Sequence, residues 1–489
     1  MTRAAALGFC LATLFGISLA PASAAPELSE MTAVVHVHTS VADGASSPAE
    51  IARAARAAGV DALVVTDHFL MSVAYAPWPL GGALGVTLSR PSVVTYGIAR
   101  YIRTLSDAER AVPGILVVPG LEVTPYARFR GSLLSGDLEL DGWHRHLLVI
   151  GIEDPAALAR LPVLGNRAGG VYGASSLLFL IPAIGLAWSI RRIARPGHSL
   201  AHVGACRFRR RRRPVPEALL GGLCLVLLGA GFPFRVERYS PVGRDPGDAV
   251  FEEVIDRVRA LGGITTWAHP EARAEIEGFH GVRIGTEPYP ELVLRTHADG
   301  FGALPEGVKA LLPAGGIWDQ ALSASLHGPH PGRPFALAEV DEHRSAAEID
   351  YRLLQTVLLV RARTRAGFME ALAAGRLYGR WTPQGQEPLR LAEFQVEGPA
   401  GQALAGQSIV APGARRIRFV VAGGNGSPVT ARLLRGGEVI WTTRGSPPIR
   451  ADVDDATPAP TYYRLDVEGA YPYRLVSNPV TILAPGDRT

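Results

Sequence analysis

Cysteine is scarce in this chain of 489 residues, which contains only three. Cys10 lies in an apolar run at the N-terminus, and Cys206 and Cys224 lie in the segment 171–234 near the middle of the chain. The remaining sequence is long enough for a large core and a second domain, and it contains no cysteine. A disulfide framework is therefore excluded for the predicted domains.

Charge is also scarce, since charged residues make up 19% of the chain and apolar residues 47%. The apolar excess is concentrated in two uncharged stretches, 171–190 and 218–234. Each approaches the about 20 apolar residues that a helix needs to cross a bilayer. The two stretches predict a transmembrane helical hairpin, and a pair of buried core helices is the alternative.

Between these stretches, residues 191–214 include no acidic residue and nine arginines, five of them consecutive in Arg209–Arg213. Short arginine-rich loops stay on the cytoplasmic side of a membrane, where they also attract anionic lipid. A nucleic-acid-binding patch is the alternative. Because two predicted membrane helices flank the arginines, we favour the topological role and expect no nucleic-acid partner. The net charge of +4 comes entirely from this loop.

The first 24 residues have the pattern of a secretory signal peptide. Arg3 gives a positive start, an apolar run follows from Ala4 to Ala20, and Ala22-Ser23-Ala24 has the form of an A-x-A cleavage site. An uncleaved N-terminal anchor is the alternative. Together with the arginine loop, the signal peptide predicts an inner-membrane protein whose main domains lie on the periplasmic side.

The most informative stretch is a predicted strand, helix and strand near the N-terminus. His36 and His38 lie two residues apart at the end of the first strand, so their side chains are expected on one face. Pro48 and Gly59 predict the start and the stop of the helix, and the second strand ends at His68. Metal-type ligands thus follow both strands at their carboxyl ends, where α/β folds place their chemistry.

Further short motifs follow in order along the chain. They are Asp43-Gly44, Thr66-Asp67-His68, Pro119-Gly120-Leu121-Glu122, His146 before an apolar strand, Ala268-His269-Pro270 and Asp341-Glu342-His343. With the two histidines of the first strand, this series resembles the polymerase and histidinol phosphatase (PHP) superfamily of metal-dependent hydrolases. The resemblance covers about residues 31–380, apart from the predicted hairpin at 171–234, which is an insertion. It implies an α/β fold, a distorted (β/α)7 TIM-like PHP barrel.

The resemblance implies a large set of metal ligands made of imidazoles and carboxylates. The nine residues are His36, His38, Asp43, His68, Glu122, His146, His269, Asp341 and His343. Such donors without thiolate suit Zn, Mn or Fe. Nine ligands are too many for one ion, so two or three divalent ions are expected.

By resemblance, Glu122 bridges the ions. The expected distribution is His36, His38 and Asp341 on one ion, His146 and His269 on a second, and Asp43, His68 and His343 on a third. Asp67 is predicted to support His68 or its neighbours from outside the cluster.

The resemblance further implies hydrolysis by a metal-bridging hydroxide, with the ions polarising the scissile bond. Glu122, Asp341 and His343 are the residues expected to act in catalysis, and no G-x-S-x-G motif offers a serine nucleophile instead. Phosphate ester cleavage is expected because most of the superfamily are phosphoesterases. Carbamate or amide hydrolysis is the first alternative. A non-catalytic exported binding module that carries metal structurally is the second.

From about residue 389, short alternating strands replace the α/β pattern, and Gly436-Gly437 predicts a hairpin turn. We predict about five strands there, as a β-sandwich. Its end, including Ser477-Asn478-Pro479-Val480, resembles the C-terminal module of the carbaryl hydrolase-like branch, the basis of the carbamate alternative. The stretch 280–334 is predicted as long loops. The predicted organisation is a signal peptide (1–24), a first barrel part (31–165), the hairpin (171–234), a second barrel part (245–380) and the β-sandwich (388–489).

Overall fold

The computed structural model describes most of the chain. The described ranges are 28–75, 86–132, 135–195, 198–203, 206–211, 214–232, 234–242, 244–276, 282–328, 332–399 and 401–486. The predicted signal peptide and Cys10 lie outside these residues, as do Arg212 and Arg213 of the arginine-rich loop.

A curled β-sheet forms the centre of the first region. Its strands are β1 (Ser29–Val37), β2 (Ala62–Val65), β3 (Leu116–Val123), β4 (Leu147–Ile150), β5 (Ile264–Trp267), β6 (Gly300–Leu304), β7 (Phe335–Ala338), β8 (Leu354–Val360) and β9 (Leu377–Trp381). Their spatial order is β7-β6-β5-β4-β3-β2-β1-β8-β9. The sheet curls until the residues after β7 reach β1, where the Val340 N–H donates to the Val35 carbonyl at 2.9 Å.

The strand directions are mixed, which refines the predicted distorted (β/α)7 barrel. β1, β2 and β3 run parallel, as do β5, β6 and β7, whereas β4 is antiparallel to both its neighbours and β8 to β1. In the described parts of 124–146 and 339–353, no long helix crosses the sheet, so the following strand returns antiparallel. The coarser prediction, a mixed α/β fold with a curled sheet, is confirmed.

Helices pack on the outside of this sheet and in the insertion. The longer ones are α1 (Pro48–Ala57), α2 (Ile98–Ala111), α3 (Leu180–Ala194), α4 (Val215–Gly231), α5 (Ala249–Ala260), α6 (Ile317–His327) and α7 (Arg365–Ala373). α1 begins as predicted, because Ser47 and Glu50 form a reciprocal capping box and Pro48 occupies the first turn. Ile51 of α1 and Val254 of α5 are buried in the same core beneath the helices.

The prediction of loops over 280–334 is wrong in part, since β6 and α6 lie within this stretch. β6 is short and contains two glycines, so its sequence gives a weak strand pattern. Its Phe301 is nevertheless fully buried, with its ring centroid 5.6 Å from that of Trp318 in α6. Core packing therefore determines the structure of this stretch.

The insertion contains two apolar helices, α3 and α4, that pack against each other. The helical segment Ser176–Ala194 is long and apolar enough to cross a membrane, whereas α4, with 17 residues, is shorter. Between them, His198–Val203 and Cys206–Arg211 pair as antiparallel strands. The predicted pair of helices is present, and its position in a membrane stays a prediction.

The C-terminal region is rich in β-structure. Its ten strands within the described residues are β10 (Leu389–Gly398), β11 (Gly401–Leu404), β12 (Ser408–Val410), β13 (Arg415–Gly423), β14 (Val429–Arg435), β15 (Glu438–Gly445), β16 (Ile449–Asp455), β17 (Thr461–Glu468), β18 (Arg474–Ser477) and β19 (Val480–Leu483). One sheet has the order β11-β10-β13-β16, and β18-β17-β14-β15 belong to the other. Phe419 and Leu433 of the two sheets share one buried core. Gly436 and Gly437 form the predicted turn, both with positive φ.

The two regions are joined by continuous structure. β9 of the curled sheet pairs antiparallel with β18, so one sheet runs through both regions. Arg464 of β17 is fully buried and forms an ion pair with Asp319 of α6, with 2.6 Å between Nη2 and Oδ2. The side-chain amide of Asn478 hydrogen-bonds both backbone groups of Ala336 in β7 at 2.8 Å. The C-terminal region is therefore part of the support for the curled sheet.

Candidate metal centre

Polar side chains meet at one end of the curled sheet. His36 lies at the end of β1, Glu122 near the end of β3, and His269 two residues after β5. His146 precedes β4, whose antiparallel direction brings its start to the same end. The structure brings all nine predicted ligands together there, namely His36, His38, Asp43, His68, Glu122, His146, His269, Asp341 and His343.

The buried carboxylate of Glu122 is the centre of this cluster. Three imidazole nitrogens surround Oε1: His36 Nε2 at 3.3 Å, His269 Nε2 at 3.2 Å and His146 Nδ1 at 2.5 Å. Two more surround Oε2: His38 Nε2 at 3.2 Å and His68 Nδ1 at 3.0 Å. An arrangement of five imidazoles around one carboxylate suits the bridging role that the sequence predicts for it.

Asp43 lies on a second side of the cluster. Its carboxylate oxygens are 3.2 Å from His38 Nδ1, 3.3 Å from His68 Nε2 and 3.5 Å from His343 Nε2. The loop that carries Asp43 folds tightly onto the end of β1. A Cβ atom on Gly44 would lie 2.3 Å from the His38 carbonyl oxygen, so this close approach requires glycine.

Asp341 and His343 form the open side of the cluster. Asp341 Oδ1 lies 3.4 Å from Nε2 of both His36 and His38. The side chains of Asp341 and His343 are 41% and 38% exposed, whereas that of His36 is fully buried. Among the predicted ligands, Asp341 and His343 therefore form the side of the cluster that is most accessible to solvent.

Three subsets of donors are close enough to share an ion, with ligand atoms within 4.8 Å of one another. They are His38, Asp43, His68 and His343; His36, His38 and Asp341; and His68, Glu122 and His146. The first two subsets contain the ligands predicted for the third and the first ion. The predicted pairing of His146 with His269 is not among them, because His146 groups with Glu122 and His68. The assignment of individual ions stays a prediction.

Buried imidazole nitrogens in the cluster have no hydrogen-bond partner. They are His36 Nε2, His38 Nδ1 and Nε2, and His146 Nδ1 and Nε2. All except His146 Nε2 lie 2.5 to 3.4 Å from carboxylate oxygens, but outside hydrogen-bonding directions. An unpaired buried polar atom costs about 1–3 kcal/mol, so these atoms need a shared partner. A divalent cation binds imidazole lone pairs and carboxylates together, and the residues therefore fit such ions.

The electrostatics of the cluster also favour positive charge. Burial opposes protonation of His36 and His68, but neighbouring carboxylates raise the pKa of His36 to about 10 and the pKa of His68 to about 9. Burial would raise the pKa of Glu122, yet the imidazoles of His146, His68 and His36 hold it well below its usual range. Burial lowers the pKa of His146 to about 4. The site thus keeps Glu122 ionised, and its carboxylates favour positive charge among the surrounding imidazoles.

Three of the predicted ligands have a left-handed backbone conformation. The φ angle is 70° at His36, 30° at His269 and 48° at Asp341. Such residues are uncommon outside glycine and concentrate at functional sites. At His36 a β-bulge interrupts the pairing of β1 with β2, so the bulge, and not simple alternation, turns this side chain toward His38. The two rings lie 5.3 Å apart.

Glu339 belongs to the cluster although no sequence motif includes it. Its side chain is 1% exposed, its Oε2 lies 3.3 Å from His36 Nδ1, and its Oε1 accepts a hydrogen bond from the His269 N–H. Gly302 makes room for it, since a Cβ atom there would lie 1.8 Å from Glu339 Oε1. The available signal was the alternation of Glu339, Asp341 and His343 after a strand.

Two other buried side chains hold the backbone around the ligands. The Tyr289 hydroxyl donates to the Ala268 carbonyl at 2.6 Å and accepts from the His146 N–H at 3.3 Å. Asp67 accepts hydrogen bonds from the N–H and the hydroxyl of Thr39, both at 2.7 Å, and burial raises the pKa of Asp67 to about 6. Asp67 therefore supports the residue after His38, and Tyr289 was not foreseen from the sequence.

The arginines beside the ligands have carboxylate partners. Arg344 binds Glu342 through Nε at 2.9 Å and Nη2 at 2.6 Å, and Arg145 lies 3.8 Å from Asp141. Because their charges are paired in this way, neither residue is assigned a role in binding the substrate.

The fold and the site together define a class of protein. Buried imidazoles and carboxylates that converge at the strand ends of an α/β sheet are the construction of a metal-dependent hydrolase. Residues 34–156 match the PHP domain family, a range that includes six of the nine predicted ligands. The chain carries a PHP domain, and the predictions of this domain and of an enzyme of this class are confirmed. The carbaryl hydrolase-like branch stays a prediction.

No curated protein matches the chain. Among solved structures, it is similar to a two-domain protein of Bacteroides vulgatus that contains a predicted PHP-like metal-dependent phosphoesterase, with 11% identity, 93% of this chain and 95% of that chain covered, and a TM-score of 0.34. It is also similar to a protein of Bifidobacterium adolescentis named as a metal-dependent phosphoesterase (14% identity, 64% and 88% covered, TM-score 0.27). A third is an amidohydrolase of Chromobacterium violaceum with bound sulfate and no metal. The identity is 17%, 65% of this chain and 89% of that chain are covered, and the TM-score is 0.28.

Proposed function

We propose that the protein is a multinuclear metal-dependent phosphoesterase whose site lies on the exported side of a membrane. The observation that carries the proposal is the convergence of nine imidazole and carboxylate side chains around Glu122, with buried nitrogens that lack hydrogen-bond partners. This donor set suits two or three Zn, Mn or Fe ions. The resemblance to the PHP superfamily favours phosphate esters over other bonds.

The cluster has a buried part and a solvent-exposed part, and we assign them different roles. Glu122, His36 and His146 hold the deep part, from which their burial excludes bulk water. When bound, divalent ions supply a nucleophile derived from water near neutral pH and positive charge for the ester oxygens. Asp341 and His343, on the open side, meet the substrate first. His343 is the group best placed to contact the leaving oxygen, because its ring is the most exposed imidazole of the cluster.

We infer that α3 and α4 cross the membrane and tether this site to it. Large apolar side chains of the helical segment Ser176–Ala194, which includes α3, and of α4 point outward. Those more than half exposed include Leu177, Leu180, Ile181, Ile184, Ile190, Leu219, Leu223, Leu225 and Val226. Small residues lie between the helices instead: a Cβ atom on Gly185 would lie 2.8 Å from Cys224 Sγ, and one on Gly221 3.2 Å from Ser189 Cβ. Membrane helices pack in this way.

The proposed topology places the arginine-rich loop in the cytoplasm and both folded regions in the periplasm. Reporter fusions in the loop and at the C-terminus test it. A periplasmic reporter should be active only in the C-terminal fusion and a cytoplasmic reporter only in the loop fusion. Equal reporter activity at the two positions would contradict the membrane hairpin.

Metal analysis combined with substrate comparison tests the proposed chemistry. We expect two or three equivalents of Zn, Mn or Fe in the purified full chain, and turnover of p-nitrophenyl phosphate or bis-p-nitrophenyl phosphate. His36→Ala serves as the control, because it removes a buried donor and should abolish both metal retention and turnover. Bound metal with cleavage of an aryl carbamate alone would move the assignment to carbamate hydrolysis. Bound metal without any turnover would favour a binding module, and absence of metal would contradict the proposal.

A further inference from the structure

The helix pair leaves the rest of the protein at a narrow root, which consists of Gly170, Val171, Arg235 and Val236. Val171 and Val236 form an antiparallel bridge in which both N–H···O=C hydrogen bonds measure 3.0 Å. A Cβ atom on Gly170 would lie 2.6 Å from the Val236 carbonyl oxygen, so the two chain segments run in close contact. The bridge therefore fixes the point at which the helices emerge.

The root lies against the segment that directly follows Glu122. The Leu164 N–H donates to the Thr124 carbonyl at 3.1 Å, and Pro125 lines the same cavity as Gly170 of the root. Thr124 is two residues from Glu122, so their α-carbons are at most about 7 Å apart. The helices thus emerge beside the metal cluster, at the same end of the curled sheet.

Further contacts fix the root relative to the site. After the root, the Pro241 carbonyl accepts a hydrogen bond from the Phe129 N–H at 2.8 Å, in the connection between Glu122 and β4. Before the root, Gly165 packs against the segment that follows His68, where a Cβ atom on Gly165 would lie 2.1 Å from the carbonyl oxygen of Ser72, the first residue of the strand Ser72–Tyr75. Connections next to two predicted ligands therefore hold the root in place.

The side chains around the root are those of a membrane interface. Tyr172 and Phe232 lie at the ends of the helices nearest the root and are 68% and 71% exposed. The Arg235 guanidinium lies 5.3 Å from the centre of the Tyr172 ring, and Arg167 donates to the Ala230 carbonyl near the end of α4. Exposed aromatic rings and long arginine side chains mark the level of the lipid headgroups.

We propose that the substrate is a phosphoester carried by a membrane lipid and hydrolysed at the bilayer surface. The inference rests on the proposed function and adds the class and the location of the substrate. The headgroup layer is about 5–8 Å deep on each side of a bilayer, which is comparable with the separation of Thr124 from Glu122. The metal cluster thus lies at or just above the level of the lipid phosphates.

The reaction is hydrolysis and needs no reactant besides water. One P–O ester bond breaks, the water oxygen bonds to phosphorus, and the leaving oxygen takes up a proton. The products are the lipid alcohol with a released phosphate group, or the lipid phosphate with a released head alcohol, depending on which ester bond is cleaved.

A reconstitution experiment with the metal-loaded full chain tests the inference. The protein is placed in phosphatidylcholine vesicles with phosphatidic acid or phosphatidylglycerol, either in the same vesicles or in separate ones. We expect hydrolysis in the same vesicles to be at least about tenfold faster, because a shared surface raises the effective concentration. Glycerol 3-phosphate is the matched monoester without acyl chains, and it should react slowly in both arrangements.

Equal rates in the two arrangements, or a faster rate on glycerol 3-phosphate, would overturn the inference while leaving the proposed function intact. No cleavage of any phosphoester, including p-nitrophenyl phosphate, would instead remove the proposed function. The two failures are therefore distinguishable.

Removal of the helices gives a second test, which the bridge at the root makes practical. Residues 172–235 are replaced with a short Gly/Ser linker between Val171 and Val236, whose backbones are already paired. This variant should keep its turnover of p-nitrophenyl phosphate, lose flotation with vesicles and lose about tenfold or more on phosphatidic acid in vesicles. Unchanged hydrolysis in vesicles would count against the inference, and if the variant does not fold, the comparison of vesicle arrangements decides.

Discussion

α4 and α5 follow each other in the chain, but they place their apolar residues in opposite directions. In α5, Val254 and Val258 are fully buried. In α4, Gly221 is buried, whereas Leu219 and Leu223 are 71% and 56% exposed. A helix that faces water hides its large apolar side chains, and a helix that faces lipid hides its small ones. Large apolar side chains are thus buried in α5 and exposed in α4, which is the arrangement that the proposed membrane position of α4 requires.

Two buried carboxylates, Asp319 of α6 and Glu217 of α4, differ in how completely they are hydrogen-bonded. Asp319, at the junction with the C-terminal region, is 2% exposed and accepts hydrogen bonds from Arg464, Tyr462 and the Gly315 N–H. Glu217 of α4 is 6% exposed, but its Oε2 has no partner and its Oε1 lies 4.0 Å from Arg192. The carboxylate of Asp319 is thus better satisfied than that of Glu217.

The largest effect on stability is expected when an aspartate is placed on α5 and, for comparison, on α4. Val254→Asp buries an unpaired carboxylate in the core and should cost about 4 kcal/mol or more, enough to unfold most of the protein. Leu223→Asp on α4 is the matched control, and in detergent it should leave the thermal midpoint nearly unchanged. In a membrane the same change should hinder insertion, at about 2.5–3.5 kcal/mol near the helix centre. Equal unfolding of both variants in detergent would show that α4 is a core helix.

The buried charges provide the second test. Arg464→Ala leaves Asp319 buried without its main partner and should lower stability by about 3–5 kcal/mol. Glu217→Gln should change it by about 1 kcal/mol or less, because the carboxylate it removes is weakly paired. Thermal melts of the full chain in detergent measure both changes. A loss for Glu217→Gln as large as that for Arg464→Ala would mean that the helix pair depends on an ion pair.

Much of the site was predictable because its ligands follow strand ends. A residue placed directly after a buried strand has little freedom, so motifs such as His36-Val-His38 and Ala268-His269-Pro270 predict where side chains will meet. The start of α1 was predictable for a similar reason, since a capping serine followed by proline defines it locally. Local chemistry was sufficient in these cases.

The features that were missed depend on contacts between distant parts of the chain. Glu339 enters the site only because Gly302 leaves space for it, and the bulge at His36 depends on pairing with β2. The strand β6 is recognisable through the burial of Phe301 and not through its own pattern. In the C-terminal region the ten described strands exceed the five or so predicted, since several of them are short or carry exposed polar residues. None of these contacts follows from local sequence.

The third prediction compares metal retention after substitution of Glu339 and of Glu342, two glutamates near the site that contact different groups. Glu339 contacts His36 and His269, so Glu339→Gln should weaken metal retention and activity about 10- to 100-fold. Glu342 pairs with Arg344 and touches no imidazole ring among the described contacts, and Glu342→Gln should leave metal content nearly unchanged. Elemental analysis after dialysis distinguishes loss of metal from loss of activity alone. Equal metal loss in both variants would argue against a positioning role for Glu339.

The smallest effect tests the contact between the two apolar helices. A methyl group at Gly185 would lie 2.8 Å from Cys224 Sγ, so Gly185→Ala should push the helices apart and cost about 1–3 kcal/mol. Gly222, on the next helix, has no atom within 4 Å of such a methyl group, and Gly222→Ala should gain up to about 1 kcal/mol from helix propensity. The double variant Gly185→Ala with Cys224→Ala removes the sulfur that the new methyl group meets and should recover most of the loss in thermal midpoint. If the second substitution gives no recovery, the helices do not pack through this contact, and the small residues between them have no part in holding the pair together.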